Sequence, residues 1–115
     1  MMPFKKPLID QLNTALDAEL VLCFCDAYPI RHDGPNLRAF CPLHYSVFKP
    51  YLYVRLEDNT CFCEYSFCKA SEQQTLLRFY SLVSGCTLQE AAHFWARKMR
   101  KMQSKSFVSV PFPST

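Results

Sequence analysis

Cysteine and histidine recur in this chain at spacings that suit a metal ion. Cys41-Pro42-Leu43-His44 is one close pair, and Cys63 and Cys68 form a second, giving C-x2-H-x18-C-x4-C. Thiolate and imidazole are good ligands for a four-coordinate zinc ion, and two short ligand pairs around a hairpin-sized insert can close a structural site. Cys61 lies two residues before Cys63. On an alternating strand both thiols face one side, so Cys61 competes for the third place.

Other chemistries find less support. There are only two glycines, Gly34 and Gly85, and no phosphate-cradling glycine loop. A nucleophile elbow and a carboxylate cluster spaced for catalytic magnesium are also absent. Cys61-Phe62-Cys63 and Cys23-Phe24-Cys25 allow a third reading, an enzyme with redox thiols, but a Cys-x-Cys pair is a weak signal. On a helix, Cys23 and Cys25 point to different faces and read as small buried hydrophobes.

Seven cysteines, a short charged start at Met1–Pro7 and no apolar run of about 18 residues point away from a membrane. They suggest a reducing cytoplasm, where clustered cysteines signify metal more often than disulfide. The net charge of +3 permits a polyanionic partner without demanding one. Arg97, Lys98, Arg100, Lys101 and Lys105 form a run without an acid. It reads equally as a helix end suited to the macrodipole or as a phosphate-contacting patch.

The elements that must position the ligands follow from periodicity. At 115 residues the chain is one small domain. Residues 1–7 read as a flexible lead-in, 8–102 as the folded domain and 103–115 as a flexible tail ending Val110-Pro111-Phe112-Pro113. Pro7 opens a helix carrying Leu8, Ile9, Leu12 and Leu16. Asp17 caps a second helix that turns Leu20, Val21, Phe24 and Cys25 inward. A strand edge and turn over Pro29–Asn36 follow, with His32 solvated. Leu37–Phe40 is a strand delivering Cys41. Tyr51–Leu56 and Thr60–Tyr65 form a hairpin about Glu57-Asp58-Asn59. Ser71-x-x-Gln74 resembles a capping box opening a helix with Leu76, Leu77, Phe79, Tyr80 and Val83 inward, and Gly85 is its left-handed cap. Thr87–Glu90 is a clearer capping box. It opens a last helix with Leu88, Ala91, Ala92, Trp95, Met99 and Met102 on its core stripe and His93 off it. The expected fold class is α+β: a small zinc-ribbon-like antiparallel sheet flanked by N-terminal and C-terminal helices.

Over about Leu8–Ala96 these residues resemble the N-terminal zinc-binding domain of bacterial replicative (DnaG-type) primases. The resemblance runs through Tyr28-Pro29-Ile30, the basic turn Arg31–Asn36 with Gly34, and Cys41-Pro42-Leu43-His44. It continues in Pro50-Tyr51-Leu52-Tyr53-Val54 and closes in Gly85-Cys86-Thr87-Leu88-Gln89-Glu90-Ala91-Ala92. The family's third ligand lies nine residues after the strand valine, which here is Cys63. The resemblance therefore implies the ligand set Cys41, His44, Cys63 and Cys68. The chain departs from the family after Cys63. Four residues, not two, separate the second ligand pair, its glycine is missing, and the following Gly-Gly-Asp is absent.

In that family the domain binds single-stranded template and helps to start the primer beside a catalytic domain. The resemblance implies the same substrate class here, with a primase catalytic subunit or replicative helicase as a separate partner. The chain reads as a stand-alone module or a fragment, not catalytic by itself, of a kind suited to a mobile element. Arg31, Arg38, Lys49, Tyr51, Tyr53, Arg55 and Lys69 are the candidate nucleic-acid contacts: cations for phosphates, tyrosines for stacking. The alternative is a protein-interaction adaptor whose zinc is purely structural.

Overall fold

The computed structural model of the chain describes residues 2–27, 30–43 and 49–109, with side chains through Lys101. The expected ligand His44, the Tyr28-Pro29 segment and the Val110–Thr115 end lie outside the described residues. Helices α1 (Lys6–Ala15) and α2 (Ala18–Phe24) lead into strands β1 (Ile30–Asp33), β2 (Asn36–Ala39), β3 (Leu52–Arg55), β4 (Thr60–Cys63) and β5 (Gln74–Thr75). Helices α3 (Leu76–Ser84) and α4 (Leu88–Ser109) follow. The strands form one antiparallel sheet in the order β1-β2-β3-β4-β5, and helices flank it. This is the expected α+β class.

Local chemistry sets the boundaries. The Asp17 carboxylate caps α2 by accepting from the Glu19 and Leu20 amides at 3.1 and 3.4 Å. Thr87 and Glu90 form the capping box of α4: the Glu90 amide donates to Thr87 Oγ1 at 3.1 Å, and the Thr87 amide donates to Glu90 Oε1 at 2.8 Å. Gly85 closes α3 at φ 73°, a left-handed conformation open to glycine at little cost. The expected Ser71 cap does not form. Gln74 and Thr75 instead pair with β4 along its free edge, and Thr75 caps α3 by accepting from the Arg78 amide at 3.1 Å.

Strand alternation divides the sheet into two faces. Leu37, Ala39, Leu52, Val54, Cys61 and Cys63 join the core with Leu76, Leu77, Phe79, Ala91, Ala92 and Trp95. Helix α2 buries Ala18, Val21 and Leu22, and its C-cap Cys25 continues the buried stripe at helical spacing. Phe24, expected inward, sits at the edge of that stripe and is 43% exposed. One side of it meets Trp95 at 5.2 Å, and the Lys98 ammonium lies 4.6 Å from its centroid. Leu8 is likewise exposed, while Ile9 and Leu16 are buried.

Two further differences concern the ends. Phe4 belongs to the lead-in, yet its amide and carbonyl bond the Gln89 side chain at 2.8 and 2.9 Å. Its ring packs 4.0 Å from His93, which is therefore half-buried against an aromatic instead of solvated. Helix α4 runs to Ser109, past Gln103 where the tail was expected to begin.

Candidate metal centre

Three chain segments deliver three thiols to one point. Cys41 follows β2, Cys63 ends β4, and Cys68 lies in the loop after β4. Their sulfurs lie within 4.8 Å of one another, all three residues are buried, and Cys41 Sγ is 3.7 Å from Cys68 Sγ. That is too long for a disulfide, whose sulfurs sit about 2.05 Å apart. It fits a shared ion: two sulfurs each about 2.3 Å from a tetrahedral zinc are separated by roughly 3.8 Å.

The backbone treats the three sulfurs alike. Cys41 accepts a backbone hydrogen bond from Leu43, Cys63 from Tyr65, and Cys68 from Ala70 at 3.5 Å. Each donor lies two residues beyond its cysteine. An N–H aimed at sulfur stabilises the thiolate, the form that binds metal. Burial acts in the opposite direction. It pushes the Cys41 thiol well up, with Cys63 and Cys68 adding to the rise, and the Cys63 thiol to about 11, where Cys68 adds to the rise and the Cys41 contact opposes it. A cation that bound here would have to displace the protons that burial favours, so its binding would release protons.

The long second spacer is accommodated by a turn. The Cys68 amide donates to the Tyr65 carbonyl at 3.0 Å, and the Cys63 amide donates to the Ala70 carbonyl at 2.8 Å. The chain folds back within Glu64–Cys68, so four intervening residues still bring the two sulfurs together. Register separates Cys63 from its rival. Cys63 pairs with Leu52 in the thiol cluster, whereas Cys61 pairs with Val54 and Gln74, inside the core and in electrostatic contact with Cys25. Among the described residues no fourth His, Cys or carboxylate joins the group. His32 is exposed near Glu19, at 3.3 Å.

The candidate nucleic-acid residues divide among three places. Arg31, Arg38 and Tyr53 fall in one register row with Phe62, on the face turned away from the core. The Tyr53 and Phe62 rings lie 5.5 Å apart, and the Arg38 guanidinium is 4.8 Å from the Tyr53 centroid. Arg38 is already paired with Asp33, at 2.9 Å, and with Glu64. Arg55, one step along the same face, is paired with Asp58. Tyr51 packs 5.8 Å from Tyr65, which meets Phe67 at 5.8 Å. Lys49 is exposed at the start of the β3 approach. Lys69 instead lines a groove of about 540 Å³ with Lys6, Asp10, Glu72 and Arg78. The sequence reading missed Phe62, Tyr65 and Phe67, the last 86% exposed. Phe62 had a signal: if Cys61 and Cys63 face inward, the residue between them faces out.

Among the described residues no helix is long and apolar enough to cross a membrane. Comparison of the chain with protein-family models, with curated proteins and with solved structures returns no match.

Proposed function

We propose that this chain is a zinc-stabilised module of primase type that binds single-stranded DNA on the open face of its sheet. Support for zinc comes from the donor set, since buried thiolates on a tetrahedral edge favour zinc among the redox-inert cations. His44, three positions after Cys41 in the C-x2-H pair, is the proposed fourth ligand. With four protein ligands the ion has no open position for water, so its role is structural: it ties the end of β2 to the loop after β4. The module acts in a reducing cytoplasm, with primer synthesis left to a separate catalytic subunit or helicase-bound partner.

The observation that carries the nucleic-acid reading is the Arg31–Arg38–Tyr53–Phe62 row. Half-buried rings on a rigid sheet can stack on bases of any sequence, and base–aromatic stacking is worth about 1–3 kcal/mol per base. Truncating Tyr53 or Phe62 to alanine in the zinc-loaded chain is therefore expected to weaken binding of a short oligo-dT by about 5- to 150-fold. Fluorescence anisotropy reads this directly. Wild-type affinity in both variants would refute the assignment of this face. Retention of a protein partner with no oligonucleotide affinity would favour the adaptor reading, which the exposed Phe67 ring also suits.

A further inference from the structure

The chain's excess of positive over negative charge comes from one helix. Through Glu90 there are eight Lys and Arg against ten Asp and Glu; from Ala91 onward there are five against none. The body carrying the sheet is thus net acidic, and the net charge of +3 comes entirely from Arg97, Lys98, Arg100, Lys101 and Lys105.

The helix-end explanation for this run does not hold. Helix α4 continues to Ser109, and its last turn contains no basic residue. The cations at 97–101 sit mid-helix, where the macrodipole's end effect has faded. Arg97–Lys101, Arg97–Arg100 and Lys98–Lys101 are like-charge neighbours at i,i+4 and i,i+3, an arrangement that disfavours a helix. Among the described residues none of Arg97, Lys98, Arg100 or Lys101 has a carboxylate partner. Two grooves flank Arg97. One, of about 350 Å³, is lined by Phe94, Arg97, Lys98 and Lys101; the other, of about 200 Å³, by Phe4, His93, Ala96, Arg97 and Arg100.

We infer that the middle of α4 is a second nucleic-acid site, which takes backbone phosphates where the sheet face takes bases. Charge complementarity selects the occupant: four cations on little more than one turn, with no carboxylate partner among the described residues, match a polyanion with closely spaced charges. The inference rests on the proposed function only in taking the same DNA as ligand. The two sites differ in kind, because stacking on Tyr53 and Phe62 is nearly salt-independent whereas phosphate contacts release counterions.

The test is oligo-dT of about 30 nucleotides, long enough for both sites, titrated against zinc-loaded chain over a range of salt. Each lost phosphate contact on a single strand lowers the slope of log K against log salt by about 0.7. The double variant Arg97→Ala/Lys101→Ala should lower it by about 1.4 and weaken binding most at low salt. Alanine keeps the helix, which circular dichroism and zinc content confirm for each variant. A wild-type slope in that variant overturns the inference, as does absence of binding by the wild type at low salt. Loss of slope here with unchanged binding in the Tyr53 and Phe62 variants would leave the α4 site standing and remove the sheet-face reading.

Discussion

Cys25 and Cys61 show what a buried thiol does without a ligand role. Both are 1% exposed and both are pushed upward by burial. Cys25 rises from 9.0 to about 12, with Asp26 adding to the effect. The folded state therefore favours the neutral thiol. Its contribution to stability is complete below pH 9 and is lost as the pH rises toward 12, because only the unfolded thiol ionises in that interval. Denaturant unfolding followed from pH 8 to about 11 should show falling stability, with a shallower fall in Cys25→Ala than in wild type. Equal slopes would remove Cys25 from the account. At this scale the sequence left one choice open. Alternation put Cys61 and Cys63 on the same face and could not choose between them; the resemblance implied Cys63, and it is Cys63 that meets Cys41 in the structure.

Between elements, a buried amide pair does what periodicity could not reveal. Asn59 turns the β3–β4 hairpin at φ 52° and donates from Nδ2 to the Asn13 and Leu16 carbonyls at 2.9 and 2.8 Å. Asn13 Nδ2 donates to the Asn59 carbonyl at 3.0 Å, and Asn13 Oδ1 accepts from the Leu77 amide at 2.9 Å. The end of α1, the hairpin and the start of α3 are thereby held together. Losing the Asn59 side chain leaves the Leu16 carbonyl without this donor, at about 1–3 kcal/mol. Alanine adds the left-handed backbone cost, about 1–2 kcal/mol, which glycine avoids. Thermal or denaturant unfolding should rank wild type above Asn59→Gly and Asn59→Gly above Asn59→Ala. Equal loss in the two variants would show that the backbone conformation carries no cost. The sequence reading recognised Asn59 only as a turn residue. A residue's type shows that it suits a turn, but its partners more than forty positions away come from tertiary packing. The same reason explains Thr75: the Ser71 box was locally sound, but the free edge of β4 took the intervening residues into the sheet.

For the whole molecule, strands β1 to β4, the helical capping at Asp17 and Thr87 and the α+β class were legible in the chain, because each depends on local spacing; β5 was not. The lateral division of the molecule was not. The acid-free run from Arg97 was visible in the chain, but its place in the middle of α4, and a sheet face with aromatic rings and mostly compensated charge, emerge only once α4 extends to Ser109 and Arg38 meets Glu64. The proposed metal would hold that sheet face in place by joining the end of β2 to the end of β4 and the loop after it. Zinc content per chain, measured on purified wild type, Cys61→Ser and Cys63→Ser side by side, tests this most directly. About one zinc per chain is expected in wild type and Cys61→Ser, with its loss in Cys63→Ser. Loss in Cys61→Ser alone, or a wild-type chain that folds and binds no metal, would contradict it.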